Sequence, residues 1–314
     1  MRVLITGGAG FIGSRLVRAC LEQGDDVRVL DDFSTGRAEN LLGLQAAHDL
    51  VKGSLVDFET VQRSVRGCEV VYHLGALPSA VQSVDEPART HAVNASGTVH
   101  VLEAARQEGV RRVVFASSCA IYGSSTALPL KEELAPLPES PYALQKLSGE
   151  LYCQQFGRLY GLQTVALRYF NVFGPRQDPR SLYAAVVPRF LSAVVRGVAP
   201  RIHGDGQQSR DFVHVDDVVA ATRVAALVTS ECAGQTLNVA RGERVTVLEL
   251  LEYAARAVGR DALAPVFEPA RAGDVRHSQA DISKAERLLG WRPRITLVEG
   301  LASALSDFEP EAGA

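Results

Sequence analysis

Paired cysteines are missing from this chain of 314 residues. Its five cysteines, Cys20, Cys68, Cys119, Cys153 and Cys232, are scattered, odd in number and form no C-x-x-C. That excludes a disulfide framework and a cysteine zinc site, so no metal is expected and a reducing compartment is. Also missing is any apolar run long enough to span a bilayer, and no leader is expected ahead of the first fold-forming residues. These absences predict a cytoplasmic protein with no membrane partner. Charge of one sign is lacking too: 33 Lys and Arg face 36 Asp and Glu, and no long basic run occurs, so no nucleic-acid partner is expected. There is no internal repeat and no low-complexity segment. What remains is an ordinary globular composition, 46% apolar and 22% charged, with length for about two domains.

The chain is organised around VLITGGAGFIGS, Val3 to Ser14. A short apolar strand runs into a glycine turn and then into a helix beginning near Phe11. Gly7, Gly10 and Gly13 recur every third residue, and Gly8, Gly10 and Gly13 satisfy G-x-G-x-x-G. Such a loop turns tightly and admits a pyrophosphate against backbone N–H groups at a helix N-terminus. DVRVLDD follows, and its Asp31 stands 18 residues after Gly13, where a carboxylate binds adenosine ribose hydroxyls. A carboxylate there repels a 2′-phosphate, which favours NAD; the nearby Arg37 keeps NADP as the other reading, and a simple polar turn at Asp31 and Asp32 is the bland one.

HDLVKGSL, EVVYHLGA and RRVVFASS supply three more strands, with helices from Phe58 to Val65 and Glu86 to Glu108 between them. This alternation predicts an α/β fold with a doubly wound parallel (Rossmann) sheet, functional residues gathering at the strand C-termini. A helix from roughly Tyr142 and the strand in TVALRYFNVFG close that half. Beyond Gly174 the rhythm is lost: PRQDPRSLYAAVVPRF is irregular, RIHGDGQQSRDFVHV is rich in turns, and LNVARGERVTVLELLEYAARAVG pairs a strand with a helix. A smaller C-terminal α/β substrate domain is expected there. The division predicted is residues 1–170 plus about 210–240 for the dinucleotide, and 171–209 plus about 241–314 for the substrate.

Tyr142 and Lys146 lie four apart on a predicted helix, so both project from one face. For a phenol to act as a base near neutrality its pKa must come down from about 10 toward 7, about 4 kcal/mol of preference for the phenolate. A fixed ammonium and the positive ring of NAD⁺ are the candidate sources. Just upstream, Ser117 and Ser118 end a strand, and Ser118 is taken as the hydroxyl that meets the substrate oxygen and the tyrosine.

TGGAGFIGS, SSCAIYG, PYALQK, RYFNVFGPRQDP and GDGQQSRDF, continued by RAGDVRHSQADISKAERLLGWRP, resemble the extended short-chain dehydrogenase/reductase family, and within it the nucleotide-sugar 4-epimerases. The resemblance covers nearly the whole chain. It implies a redox-neutral cycle on tightly held NAD. Tyr142 would take the proton from the sugar 4-hydroxyl while hydride leaves C4, the 4-keto sugar would turn over, and hydride would return to its other face. Lys146 would bind the nicotinamide ribose and Ser118 the reacting oxygen. Phe11, Ile12, Asp32, Ser54, Leu55, Leu74, Ala76 and Asn94 would complete the NAD site. Asn171 and Val187 would contact the sugar nucleotide, and Arg210 and Arg271 its diphosphate through charge-assisted bonds. A homodimer joined through the helices at Glu86–Glu108 and Tyr142–Tyr160 is likewise implied.

Departures from the family pattern narrow the reaction. Cys119 and Ala120 stand where the dehydratases carry an Asp-Glu pair and the decarboxylating relatives a glutamate. Ser54 replaces an aspartate that contacts adenine, and Pro78 a lysine that some epimerases place near the phosphates. Ser278 falls where glucose-restricted epimerases have a bulky tyrosine, leaving room for an acetamido group. UDP-GlcNAc/UDP-GalNAc is therefore the expected pair, with UDP-Glc/UDP-Gal second. Alternatives are a uronate 4-epimerase, a net NAD-dependent reductase and a non-catalytic dinucleotide sensor.

Overall fold

A computed structural model describes residues 1–44, 48–177, 186–228, 232–261, 263–270 and 275–308, apart from the side chain of Ser306. The first half alternates as predicted: β1 (Arg2–Thr6), α1 (Phe11–Glu22), β2 (Asp26–Asp31), β3 (His48–Lys52), α2 (Phe58–Val65), β4 (Val70–His73), α3 (Ala80–Asp85), α4 (Pro87–His91), α5 (Gly97–Gln107), β5 (Arg112–Ser118), α6 (Pro141–Tyr160) and β6 (Gln163–Tyr169). A π-helical turn at Ala92–Ser96 joins α4 to α5, so the stretch expected as one helix is continuous but locally widened. The short α3 was not expected. Ser79 caps it, accepting from Gln82 N–H at 3.0 Å.

The second half contains β7 (Asn171–Phe173), α7 (Val186–Arg196), β8 (Arg201–His203), β9 (Ser209–Arg210), β10 (Phe212–His214), α8 (Val215–Leu227), β11 (Gln235–Val239), β12 (Val245–Thr246), α9 (Val247–Ala257), β13 (Val266–Glu268), α10 (Ser283–Leu289) and α11 (Leu297–Ser303). Seven strands form one sheet in the order β11-β6-β5-β4-β1-β2-β3, every pair parallel. The order reverses between β1 and β4, which opens the crevice where α/β folds take ligands.

Strand residues alternate between two covered faces. Val3 and Ile5 pack with Leu16 and Val17 of α1 and Val218 and Ala225 of α8. Leu4 and Phe115 face the other way, toward Val61 of α2, Leu102 of α5 and Phe156 of α6. A third cluster joins Phe190 and Leu191 of α7, Leu250 and Leu251 of α9 and Leu301 of α11 away from the large sheet.

The strand that carries the start of LNVARG falls in the 210–240 stretch read with the dinucleotide half: it is β11 and pairs with β6, Leu237 opposite Leu167. The βαβ rhythm does persist from β6 through α8 to β11. An excursion containing β7, α7 and β8 to β10 interrupts it, and that insertion hides the period. Among the described residues no helix is long and apolar enough to cross a membrane.

Candidate active site

Three of the four loop glycines are demanded by the fold itself. A Cβ on Gly13 would lie 2.0 Å from Gly7 O, one on Gly8 2.7 Å from Val29, and one on Gly7, whose φ is +70°, 2.8 Å from Gly75 Cα. Gly10 differs. A Cβ there would meet Gly7 O at 3.1 Å and nothing else within 4 Å, so its missing side chain leaves open space at the start of α1. The N–H groups of Phe11, Ile12 and Gly13, in the first turn, have no partner among the described residues. Open space beside three unpaired N–H groups at a helix N-terminus fits a pyrophosphate, so these residues suit NAD.

Asp31 ends β2 beside this loop, 7% exposed. It accepts from Ala9 N–H at 2.9 Å and Phe33 N–H at 2.8 Å, and burial raises its pKa while those bonds oppose the rise. It thus shapes the turn and stands at the glycine loop at once. Asp32 is exposed and accepts from Ser34 N–H. Ser54 accepts from Val56 N–H at 3.3 Å, and Leu55 is buried against Gly75 and Gly97. Leu74 and Ala76 lie half-buried on the loop after β4. Asn94 is 2% exposed with both amide protons committed, to Leu77 O and Gln145 Oε1, and its oxygen accepts from Leu77 N–H. Its side chain braces the β4 loop against α6.

Opposite the loop, α6 starts at a Ser140 cap with Pro141 in its first turn. Lys146 Nζ lies 5.9 Å from the centroid of the Tyr142 ring and donates to Ala116 O at 2.7 Å. Ser118, at the end of β5, stands close enough to the Tyr142 phenol to favour its ionised form, and it accepts from Ala120 N–H at 3.1 Å. Ser117 turns inward instead, donating to Glu150 at 2.5 Å. Glu150 forms a buried two-pronged pair with Arg168 at 2.9 and 2.8 Å.

In the chain by itself the electrostatics run the other way. Burial pushes the Tyr142 phenol up to about 12, with Ser118 opposing, instead of bringing it toward neutrality. Burial also pulls Lys146 down to about 8, with Glu150 opposing. Desolvation penalises each charged form before any cofactor charge is present. The chain alone therefore holds a neutral phenol.

On the substrate side, the backbone N–H and side-chain amide of Asn171 both donate to Asp211 O, at 3.2 and 3.0 Å. Arg210 precedes Asp211 and its charge acts on the Cys119 thiol, which follows Ser118. Ser278 is 7% exposed, its N–H donating to Ser209 O. Val187 is 2% exposed and packs into the third apolar cluster. Arg271 lies outside the described residues.

Asp211, missed in the sequence, ties this region together. Fully buried, it accepts from Arg241, Gly242 and Ala280 N–H at 2.8, 3.0 and 3.1 Å, and burial raises it to about 7. Its adjacency to Arg210 was visible in SRDF, but nothing local marks a carboxylate that will be buried on partners 30 to 69 residues away.

A family model described as the NAD dependent epimerase/dehydratase family matches residues 3–240. A Mycolicibacterium smegmatis protein named UDP-glucose 4-epimerase is 42% identical over 312 residues, 98% of each chain. Among solved structures, the UDP-glucose 4-epimerase of Thermotoga maritima with UDP-glucose superposes with a TM-score of 0.93 at 40% identity, covering 98% of both chains. The UDP-N-acetylglucosamine 4-epimerase of Methanobrevibacter ruminantium in complex with UDP-N-acetylmuramic acid gives 0.92 at 38% identity, covering 97% of both. With that agreement over its whole length, the chain belongs to the NAD-dependent epimerase/dehydratase family of extended short-chain dehydrogenases/reductases, on its nucleotide-sugar 4-epimerase branch.

Proposed function

We propose that the protein interconverts the C4 epimers of UDP-GlcNAc and UDP-GalNAc, with UDP-Glc and UDP-Gal as a second pair. The observation that carries the reading is the meeting of Ser118, Tyr142 and Lys146 at the same sheet edge as the Gly10 opening. Bound NAD supplies the hydride acceptor and donor for C4. The N–H groups of Phe11, Ile12 and Gly13 hold its pyrophosphate, Asp31 its adenosine ribose and Lys146 its nicotinamide ribose. Tyr142 takes the proton of the 4-hydroxyl and returns it after the sugar has turned over, Ser118 holding the reacting oxygen. A positive charge beside the ring is what brings the phenol down from about 12. Asn171, Arg210 and Arg271 retain the sugar nucleotide during that turn.

The choice of an acetamido sugar rests on Ser278, small and buried, its N–H on Ser209 O, and the Methanobrevibacter neighbour's name accords with it. Cys119 and Ala120 place no carboxyl after Ser118, which disfavours dehydration.

We also propose a homodimer through α5 and α6. Leu144, Leu151, Tyr152, Leu159 and Tyr160 lie exposed along α6 and would be covered there. The two-part division proposed from the sequence accords with a third apolar cluster separate from the sheet.

Incubation with UDP-Glc, UDP-GlcNAc and UDP-GlcA separately, with no added cofactor and products read by NMR, tests the reaction. Inversion at C4 is expected. Turnover only with added NAD(H), accompanied by a change in nicotinamide absorbance proportional to substrate, would mean a net oxidoreductase. Tyr142→Phe should lose about a thousandfold or more in kcat and keep its NAD. Ser278→Tyr should lose the acetamido pair selectively; an unchanged variant ends the gate argument.

A further inference from the structure

A chain of hydrogen bonds runs beneath the glycine loop through a buried histidine. Gly75 N–H donates to Thr6 Oγ1 at 3.0 Å, Thr6 Oγ1 lies 2.8 Å from His73 Nδ1, His73 Nε2 lies 3.0 Å from Thr98 Oγ1, and Thr98 donates to Asn94 O at 2.6 Å. The two ends set the direction, because an amide N–H only donates and a carbonyl only accepts. Thr98 spends its single proton on Asn94 O and so accepts from His73 Nε2–H. Nδ1 of a neutral ring is then the acceptor, and it takes the hydroxyl proton of Thr6. His73 is 1% exposed, its ring centroid 5.6 Å from that of Phe115, and the charged group acting on it is Lys146. Burial and that ammonium both oppose a second proton, holding its pKa down at about 3.

The chain joins three separate segments. Thr6 opens the glycine loop, Gly75 lies on the loop after β4, and Asn94 grips Leu77 of that same loop through its side chain. Gly7 and Gly75 approach so closely that no Cβ fits between them.

We propose that His73 is a positioning residue for the dinucleotide: locked as the neutral Nε2–H tautomer, it fixes the glycine loop, the β4 loop and the Asn94 turn at the spacing in which NAD is gripped. This rests on the NAD reading of the cleft.

Two measurements test it. In ¹⁵N-histidine NMR of the intact protein, one ring should show the Nε2–H tautomer and stay unchanged between about pH 5 and 8. An Nδ1–H tautomer, or titration in that range, overturns the proposal. His73→Phe keeps a ring and removes both nitrogens; titration of the stripped protein with NAD should show binding weaker by about tenfold or more. The KM for the sugar nucleotide, measured at saturating NAD, should stay near the parent's. His73→Gln, whose amide still reaches toward Thr98, should recover part of the affinity. Should the Phe variant not fold, Thr98→Val breaks the same chain with His73 in place and carries the measurement. A Phe or Val variant that folds and binds NAD as tightly as the parent overturns the proposal. A parent protein that binds no NAD overturns the cofactor reading itself, a result distinct from variants that match a binding parent.

Discussion

Ser117 and Ser118 are consecutive in β5 and face opposite environments: Ser117 donates to the buried Glu150 at 2.5 Å, while Ser118 meets the phenol of Tyr142. Successive strand residues point to opposite sides, so one hydroxyl belongs to the core and the other to the cleft. Ser118→Ala should lower kcat about a hundredfold with little change in thermal stability. Ser117→Ala should do the reverse, costing about 1–3 kcal/mol by leaving Glu150 one donor short and sparing kcat. Steady-state kinetics and thermal denaturation of the two variants separate the roles.

The glycines of the loop divide in the same manner. Gly13→Ala sets a Cβ 2.0 Å from Gly7 O, backbone that cannot yield without moving the loop, at a cost of about 3 kcal/mol. Gly10 has φ −75° and only one atom within 4 Å of its absent Cβ. Gly10→Ala should therefore keep its Tm within about 2 °C of the parent's and weaken NAD binding more than about tenfold. Calorimetry and NAD titration on both variants decide it.

Lys146 carries its charge at a cost. Its pKa falls from 10.5 to about 8 on folding, so the folded chain binds this proton less readily than the unfolded one. The stability associated with this group is full above about 10.5, declines as pH falls, and stays low below about 8. Lys146→Met should abolish turnover yet raise stability at pH 7 by about 1–3 kcal/mol, the advantage shrinking toward pH 10. Chemical denaturation at both pH values measures the difference.

Asp211→Asn replaces one acceptor oxygen with a donor that faces backbone N–H groups. One of the bonds to Arg241, Gly242 and Ala280 must fail, at about 2 kcal/mol. Asn171 and Arg210 adjoin that residue, so the KM for the sugar nucleotide should rise while NAD stays bound. A destabilised variant with parental KM would leave Asp211 a purely structural group.

The dinucleotide half was legible because its signals are local. A β1 with an apolar centre at Val3–Ile5, a glycine turn and an amphipathic α1 declare themselves within 22 residues. Tyr142 and Lys146 share a helix face by spacing alone. β11 was harder to place, because its partner β6 is about 70 residues back across an insertion with its own core. Val187 stands on the other side. Resemblance placed it at the substrate, and its burial in the third apolar cluster comes from the packing of α7.

By itself the sequence determined the parallel α/β plan, the glycine loop at the first helix, the carboxylate at the end of β2 and the Tyr142–Lys146 pair, since each depends on the periodicity or chemistry of a short segment. Only the tertiary structure decided that Ser117 faces Glu150, that Asp211 anchors the backbone N–H groups of Arg241, Gly242 and Ala280, that Asn94 braces the β4 loop and that His73 bridges β1 to the Asn94 turn. It also decided the sign of the pKa displacement at Tyr142. Those outcomes depend on desolvation and on partners far apart in sequence, and both come into being only when the chain closes on itself.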